Sequence, residues 1–138
     1  MNRNQLRRLA RERIGDAEVL VKNRRFAAAY YLAGYAVECS LKARIAKRTK
    51  RHDLPPKPNE VREIYTHDLE KLRSLARLEA VFNQLAETDP TFQRYWAVVK
   101  DWSEESRYEA RGERKAKDIL KAVSDPEHGV FQCIRRYW

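Results

Sequence analysis

Glycine is scarce, with four in 138 residues, and the four are scattered. No phosphate-cradling loop of the P-loop or dinucleotide-binding kind can be written from them, and no Gly-x-Ser-x-Gly elbow appears. Proline is also sparse, and three of the five lie within residues 55–58. Only two cysteines occur, Cys39 and Cys133, too few for a disulfide-stapled framework. Long apolar runs are missing, so no membrane span of about 18 residues is available. The opening Met-Asn-Arg-Asn-Gln-Leu-Arg-Arg has charge without an apolar stretch behind it, which gives no sign of a secretion signal. These absences predict a cytoplasmic chain with reduced thiols and no membrane partner. The length predicts a single domain over 1–138.

Positive charge is abundant and uneven. The formal net charge is +9. Residues 1–25 carry eight basic and three acidic groups, residues 26–52 six and one, and residues 53–110 eight and twelve. Six of the ten residues 42–51 are basic: Lys42, Arg44, Lys47, Arg48, Lys50 and Arg51. A helix C-terminus uses one or two cations to complement its dipole. Six suggest a polyanion, because each phosphate neutralised releases counterion. RNA or a nucleotide is the expected partner, with Arg44, Lys47, Arg48, Lys50 and Arg51 as contacts. A solvated basic face is the competing reading.

Helical periodicity dominates the chain, and no β alternation competes with it. Leu6, Leu9, Ala10, Ile14, Ala17, Leu20 and Val21 step by three or four, marking an amphipathic helix over 3–22. Residues 26–41 are apolar nearly all round, as befits the centre of a bundle. Asp53 to Asn59 forms the clearest linker. Thr66 or Asp68 is placed to cap a third helix, whose stripe runs from Leu69 to Ala86 until Thr88-Asp89-Pro90 stops it. A fourth helix carries Phe92, Tyr95, Trp96, Val99 and Trp102. Past Gly112 come Ala116, Ile119, Leu120 and Val123, then a short closing segment from Val130 to Trp138. An all-α, up-and-down bundle of four to five helices is the economical fold.

The three histidines and two cysteines show no pair at firm metal-ligand spacing, so neither metal nor cofactor is expected. Chemistry must therefore come from side chains scattered over several helices. Glu38 stands inside the apolar helix and needs a partner there, for which Lys42 at i+4 and Arg107 are candidates. His67 lies at a helix start beside Asp68, where capping and acid–base roles compete. Arg107 and Tyr108 follow the last aromatic stripe, as a rim pair or as a phosphate clamp with a stacking face. Trp96 and Trp102 are assigned to the core.

Three blocks in order carry a family likeness: Ala-Tyr-Tyr-Leu-Ala-Gly-Tyr-Ala-Val-Glu-Cys-Ser-Leu-Lys-Ala at 29–43, Thr-His-Asp-Leu-Glu-Lys-Leu at 66–72, and Trp102 through Ser106-Arg107-Tyr108. Together they resemble the HEPN-domain family of small helical bundles, most of all the branch found beside small nucleotidyltransferases. The resemblance implies a homodimer in a toxin–antitoxin, defence or nucleotide-linked system, with a nucleotidyltransferase-like partner protein. It implies a nucleotide- or RNA-binding module whose ligand-binding candidates are Glu38, Lys42, Asp68 and Tyr108. It also implies, as an alternative, a metal-independent endoribonuclease with His67 as acid/base and Arg107 as phosphate clamp. Arg62-Glu-Ile-Tyr-Thr-His67 fits the family's Arg-to-His spacing too, although it falls between the linker and the third helix rather than on a late helix.

Overall fold

The computed structural model describes residues 1–51 and 64–138, with only the backbone for Lys50 and Arg51. The linker over 53–59 and Arg62 lie outside the described residues. Among those described there are seven α-helices, one 3₁₀ turn and no strand. The helices are α1 (Arg3–Lys22), α2 (Phe26–Arg51), α3 (Leu69–Leu75), α4 (Glu79–Thr88), α5 (Pro90–Lys100), α6 (Glu113–Ser124) and α7 (Val130–Arg135). The 3₁₀ turn, Glu104–Tyr108, joins α5 to α6. No described helix is long and apolar enough to cross a membrane.

Helix α1 begins with a capping box. The Gln5 backbone N–H donates to the Asn2 side chain and the Asn2 backbone N–H to the Gln5 side chain, each at 2.9 Å. It ends in a left-handed residue, Arg24 at φ 59°. Arg25 N–H donates to Leu20 and Arg24 N–H to Val21, a Schellman closure. The same closure recurs after α3, with Arg77 at φ 58° and Leu78 N–H donating to Arg73. That second closure divides the continuous stripe expected over 69–86 into α3 and α4. The hydrophobic phase survives the break, because Leu72, Leu78 and Phe82 are all buried.

Helix α2 is central. It packs along α1 and also meets α3, α6, α7 and the 3₁₀ turn. Ala29, Ala33, Ala36 and Ala43 are fully buried on it, and such small side chains let the neighbouring backbones come close. Val37 and Leu41 fill the same interior, each contributing about 1.5–3 kcal/mol by leaving water. Gly34 marks the tightest approach, since a Cβ there would overlap the Trp102 indole. Trp102 is buried, as expected, whereas Trp96 is only partly so and stands edge-on to Phe82 at 4.9 Å.

The α4–α5 and α6–α7 corners are tied by acids. Asp89 caps α5 by accepting from Phe92 N–H at 3.0 Å, and its other oxygen lies 2.6 Å from His128 Nδ1. Asp125 accepts from the backbone N–H groups of Glu127 and His128 and from the Tyr95 hydroxyl. The hydrogen bond to Asp89 raises the His128 pKa above 6.5, and the same bond lowers that of Asp89 below 3.8. Both cysteines are buried and free, and burial pushes each thiol up to about 11.

Two expectations follow. Gly34→Ala must force the Trp102 ring or α2 to shift and should destabilise by about 1–3 kcal/mol in urea unfolding. The His128–Asp89 tie should be strongest between the two ordinary values, 3.8 and 6.5. Above that window His128 loses its proton as pH passes its raised folded value; below it Asp89 gains one as pH passes its lowered folded value. The melting-temperature gap between wild type and His128→Asn should therefore be widest between pH 3.8 and 6.5 and shrink as pH rises through the raised folded value of His128.

Candidate functional site

A buried carboxylate on the central helix starts the site. Glu38 is 2% exposed, one helical turn before Lys42. Lys42 Nζ donates to Glu38 Oε1 at 2.9 Å. The same oxygen lies 2.6 Å from Nδ1 of His67, which precedes α3. Charge in the interior must be paired, and these two groups pair it.

The start of α3 fixes where His67 stands. Asp68 caps the helix by accepting from Glu70 and Lys71 N–H groups, and Thr66 Oγ1 accepts from Asp68 N–H. Of the two capping candidates Asp68 is the cap, and Thr66 only orders the residue before the helix. His67 is left between them with its side chain 42% exposed. Its second nitrogen, Nε2, lies 3.1 Å from Glu104 Oε2 on the 3₁₀ turn. Glu104 Oε1 in turn pairs with Arg107 at 3.2 Å.

The result is a row of ionisable groups, Lys42, Glu38, His67, Glu104 and Arg107, that runs through the buried Glu38 to the surface at Arg107. Its outer end carries an aromatic face. The Arg107 guanidinium lies 4.7 Å from the centre of the Tyr108 ring, and Tyr108 is 76% exposed. Desolvation is the largest single influence on Arg107 and pulls it down, but the Tyr108 side chain, the Glu104 charge and the Tyr31 side chain together hold its pKa above the ordinary value. Beneath this end Tyr31 stacks near Tyr35 and tilts against Trp102, with ring centres about 6 Å apart in each pair. Burial, together with Cys39 and Glu38, pushes the Tyr35 hydroxyl up to about 12.

A cavity of about 620 Å³ opens on the other side of Glu38, between the start of α1, α2 and Ile64–Tyr65. Its walls are mainly apolar, with Glu38 and Lys42 at one end. Glu38 Oε2 is buried without a hydrogen-bond partner among the described residues. No group of three metal-ligating side chains occurs among the described residues.

The geometry corrects one expected contact. Arg107 does not satisfy Glu38; Glu104 lies between them, paired with His67 and Arg107. The physical reason is the path of the chain. Helix α5 ends at Lys100, and Arg107 sits on a short 3₁₀ turn rather than at the end of a long helix. Glu104 was not distinguished within its segment, although its spacing of three from Arg107 is that of a helical ion pair. Tyr31 and Tyr35 were also missed, because aromatic residues on an apolar helix carry no separate signal.

The basic block is divided. Lys42 serves Glu38. Arg44 donates to the carbonyls of Ala76 and Tyr137 at 3.2 and 3.1 Å, and Lys47 reaches the Tyr137 carbonyl at 3.4 Å. These cations bind the closing segment to α2. Arg48 is half-buried, and the Lys50 and Arg51 side chains lie outside the described residues.

Glu38 is the group whose loss should be felt most. Glu38→Ala leaves Lys42 without its anion in a largely enclosed position and should lower unfolding free energy by roughly 3 kcal/mol. His67→Asn, at a half-exposed position, should cost less than about 1 kcal/mol in the same urea titration.

A family model described as HEPN domain matches residues 4–128. No curated protein and no solved structure matches the chain.

Proposed function

Because the chain belongs to the HEPN domain family, we propose that it is a nucleotide- or RNA-binding regulatory module. Membership supports a nucleotide- or RNA-related role in general terms. The proposal adds that the module is a homodimer and works with a nucleotidyltransferase-like partner in a toxin–antitoxin or defence setting. The observation that carries the binding reading is the outer end of the charge row. There an exposed guanidinium and an exposed ring, Arg107 and Tyr108, stand together, able to hold a phosphate and stack on a base. Lys42, Glu38 and Glu104 supply the frame that fixes His67 and Arg107 beside each other. Arg48, Lys50 and Arg51 remain proposed nucleic-acid contacts on the strength of their charge alone.

A second reading, metal-independent endoribonuclease, is favoured by one contact. Glu38 holds His67 Nδ1 at 2.6 Å, the way a carboxylate orients an acid–base imidazole. In that reaction His67 takes the proton of a ribose 2′-hydroxyl as its oxygen attacks the adjacent phosphate. The bond from phosphorus to the 5′-oxygen breaks, that oxygen takes a proton from water, and a 2′,3′-cyclic phosphate remains, with Arg107 stabilising the charge on the phosphorus oxygens. Binding is preferred because the exposed Arg107–Tyr108 pair can hold a phosphate and a base without any proton transfer by His67.

Fluorescence anisotropy with a short single-stranded RNA tests the two readings together. The logarithm of affinity should fall linearly with the logarithm of salt concentration. Tyr108→Ala should weaken binding by about 1–3 kcal/mol, Arg107→Ala should weaken it too, and no cleavage should accumulate in EDTA. Salt-independent binding, or binding indifferent to both substitutions, sinks the module. Cleavage by wild type that His67→Ala abolishes at unchanged melting temperature replaces it with the nuclease. Light scattering should give twice the chain mass, and a monomer at binding concentrations removes the dimer from the proposal.

A further inference from the structure

Glu104 is placed where a ligand's anion is wanted. Its two oxygens reach two cation-forming groups at once, Oε2 to His67 Nε2 at 3.1 Å and Oε1 to Arg107 at 3.2 Å. Two oxygens of a phosphate can make the same pair of contacts, since guanidinium accepts carboxylate and phosphate in similar geometry. We infer that the Glu104 carboxylate fills the seat of a terminal phosphate monoester and that the ligand binds between His67 and Arg107 by displacing it. The inference rests on the binding role proposed above and names the ligand group and its internal competitor.

The two carboxylates on His67 are not equivalent. Glu38 is 2% exposed and bonded to Lys42 on its own helix, so it cannot leave. Glu104 is 32% exposed and stands at the first position of a five-residue 3₁₀ turn. Ser103, which precedes that turn, makes no side-chain cap. Hydrogen bonds in such turns are poorer than in α-helices, so swinging one side chain outward disturbs little. His67 and Arg107 line the seat, with Glu38 on the far ring nitrogen of His67 and the Tyr31 and Tyr108 side chains beside Arg107.

Charge selects the monoester. A carboxylate brings one negative charge, and an internal phosphodiester brings one as well. A terminal phosphate carries between one and two at neutral pH and has three acceptor oxygens. It gains charge in the exchange and has an oxygen to spare for the Tyr108 hydroxyl. Its base would then be near the exposed face of the Tyr108 ring.

The test uses one short single-stranded RNA labelled at its 3′ end, made with a 5′-phosphate or a 5′-hydroxyl, and anisotropy at low salt. Wild type should bind the 5′-phosphate form about fivefold more tightly, and Arg107→Ala should erase that preference. Glu104→Gln keeps the shape but removes the competing charge and should tighten the 5′-phosphate RNA by about tenfold, as expected when the free site is mostly self-occupied, and the 5′-hydroxyl RNA much less. Glu104→Asp, too short to span both partners, should move affinity in the same direction and serves if the first variant does not fold. Unchanged or weaker binding of the 5′-phosphate RNA by the Glu104 variants, with Arg107-dependent binding intact in wild type, overturns the displacement while leaving the module standing. Equal affinity for the two RNA ends overturns the monoester. Failure of wild type and the Glu104 variants alike to bind either RNA overturns both this inference and the module.

Discussion

One carboxylate placed in an otherwise apolar helix organises much of this molecule. A carboxyl group inside the bundle demands polar partners, and Lys42 is the one its own helix supplies among the described residues. The second partner, His67, comes from the segment before α3, so the start of that helix is drawn against α2. His67 then has a second nitrogen facing outward, and Glu104 meets it. Through Glu104 the 3₁₀ turn and Arg107 are brought to the same edge. A single electrostatic demand thus propagates over three segments distant in sequence.

Packing makes the same edge rigid. The 3₁₀ turn follows Trp102, and Trp102 lies against Gly34, one turn of α2 before Glu38. Absence of one side chain on α2 therefore sets how near the turn comes, while the presence of another four residues later sets what it pairs with. Tyr31 and Tyr35 line the space between these two positions. Trp102 seated against Gly34 holds the backbone ahead of this short turn, while the Glu104 side chain is placed by its contacts to His67 and Arg107.

The helical class and several boundaries were legible because they rest on local signals. The Asn23 break, the Asp68 cap and the Asp89-Pro90 start each carry a residue whose backbone preference decides the matter. The break at Ala76–Leu78 was not legible. It uses arginine, not glycine, in the left-handed position, and the apolar stripe runs on across it undisturbed. The family blocks led to Glu38, Lys42, His67 and Arg107, which do lie in one row. Of the two partners open to Glu38 in the sequence, Lys42 is the one used, and Arg107 is linked only through Glu104 and His67. Deciding it requires knowing that α5 ends before Trp102, and an aromatic stripe gives no sign of where its helix stops. The division of labour within residues 42–51 was hidden for a similar reason, since whether a cation meets solvent or the Tyr137 carbonyl depends on the return of the closing segment.

The two sulfurs give the molecule a built-in clock. With thiols held near 11, only about one in ten thousand of each is ionised at neutral pH, and alkylating agents and peroxides act on the ionised form. Cys39 belongs to the central helix and Cys133 to the last one. The rate at which a reagent captures each sulfur reports how often that helix breathes, so the closing segment and the middle of the bundle can be timed separately in the same sample.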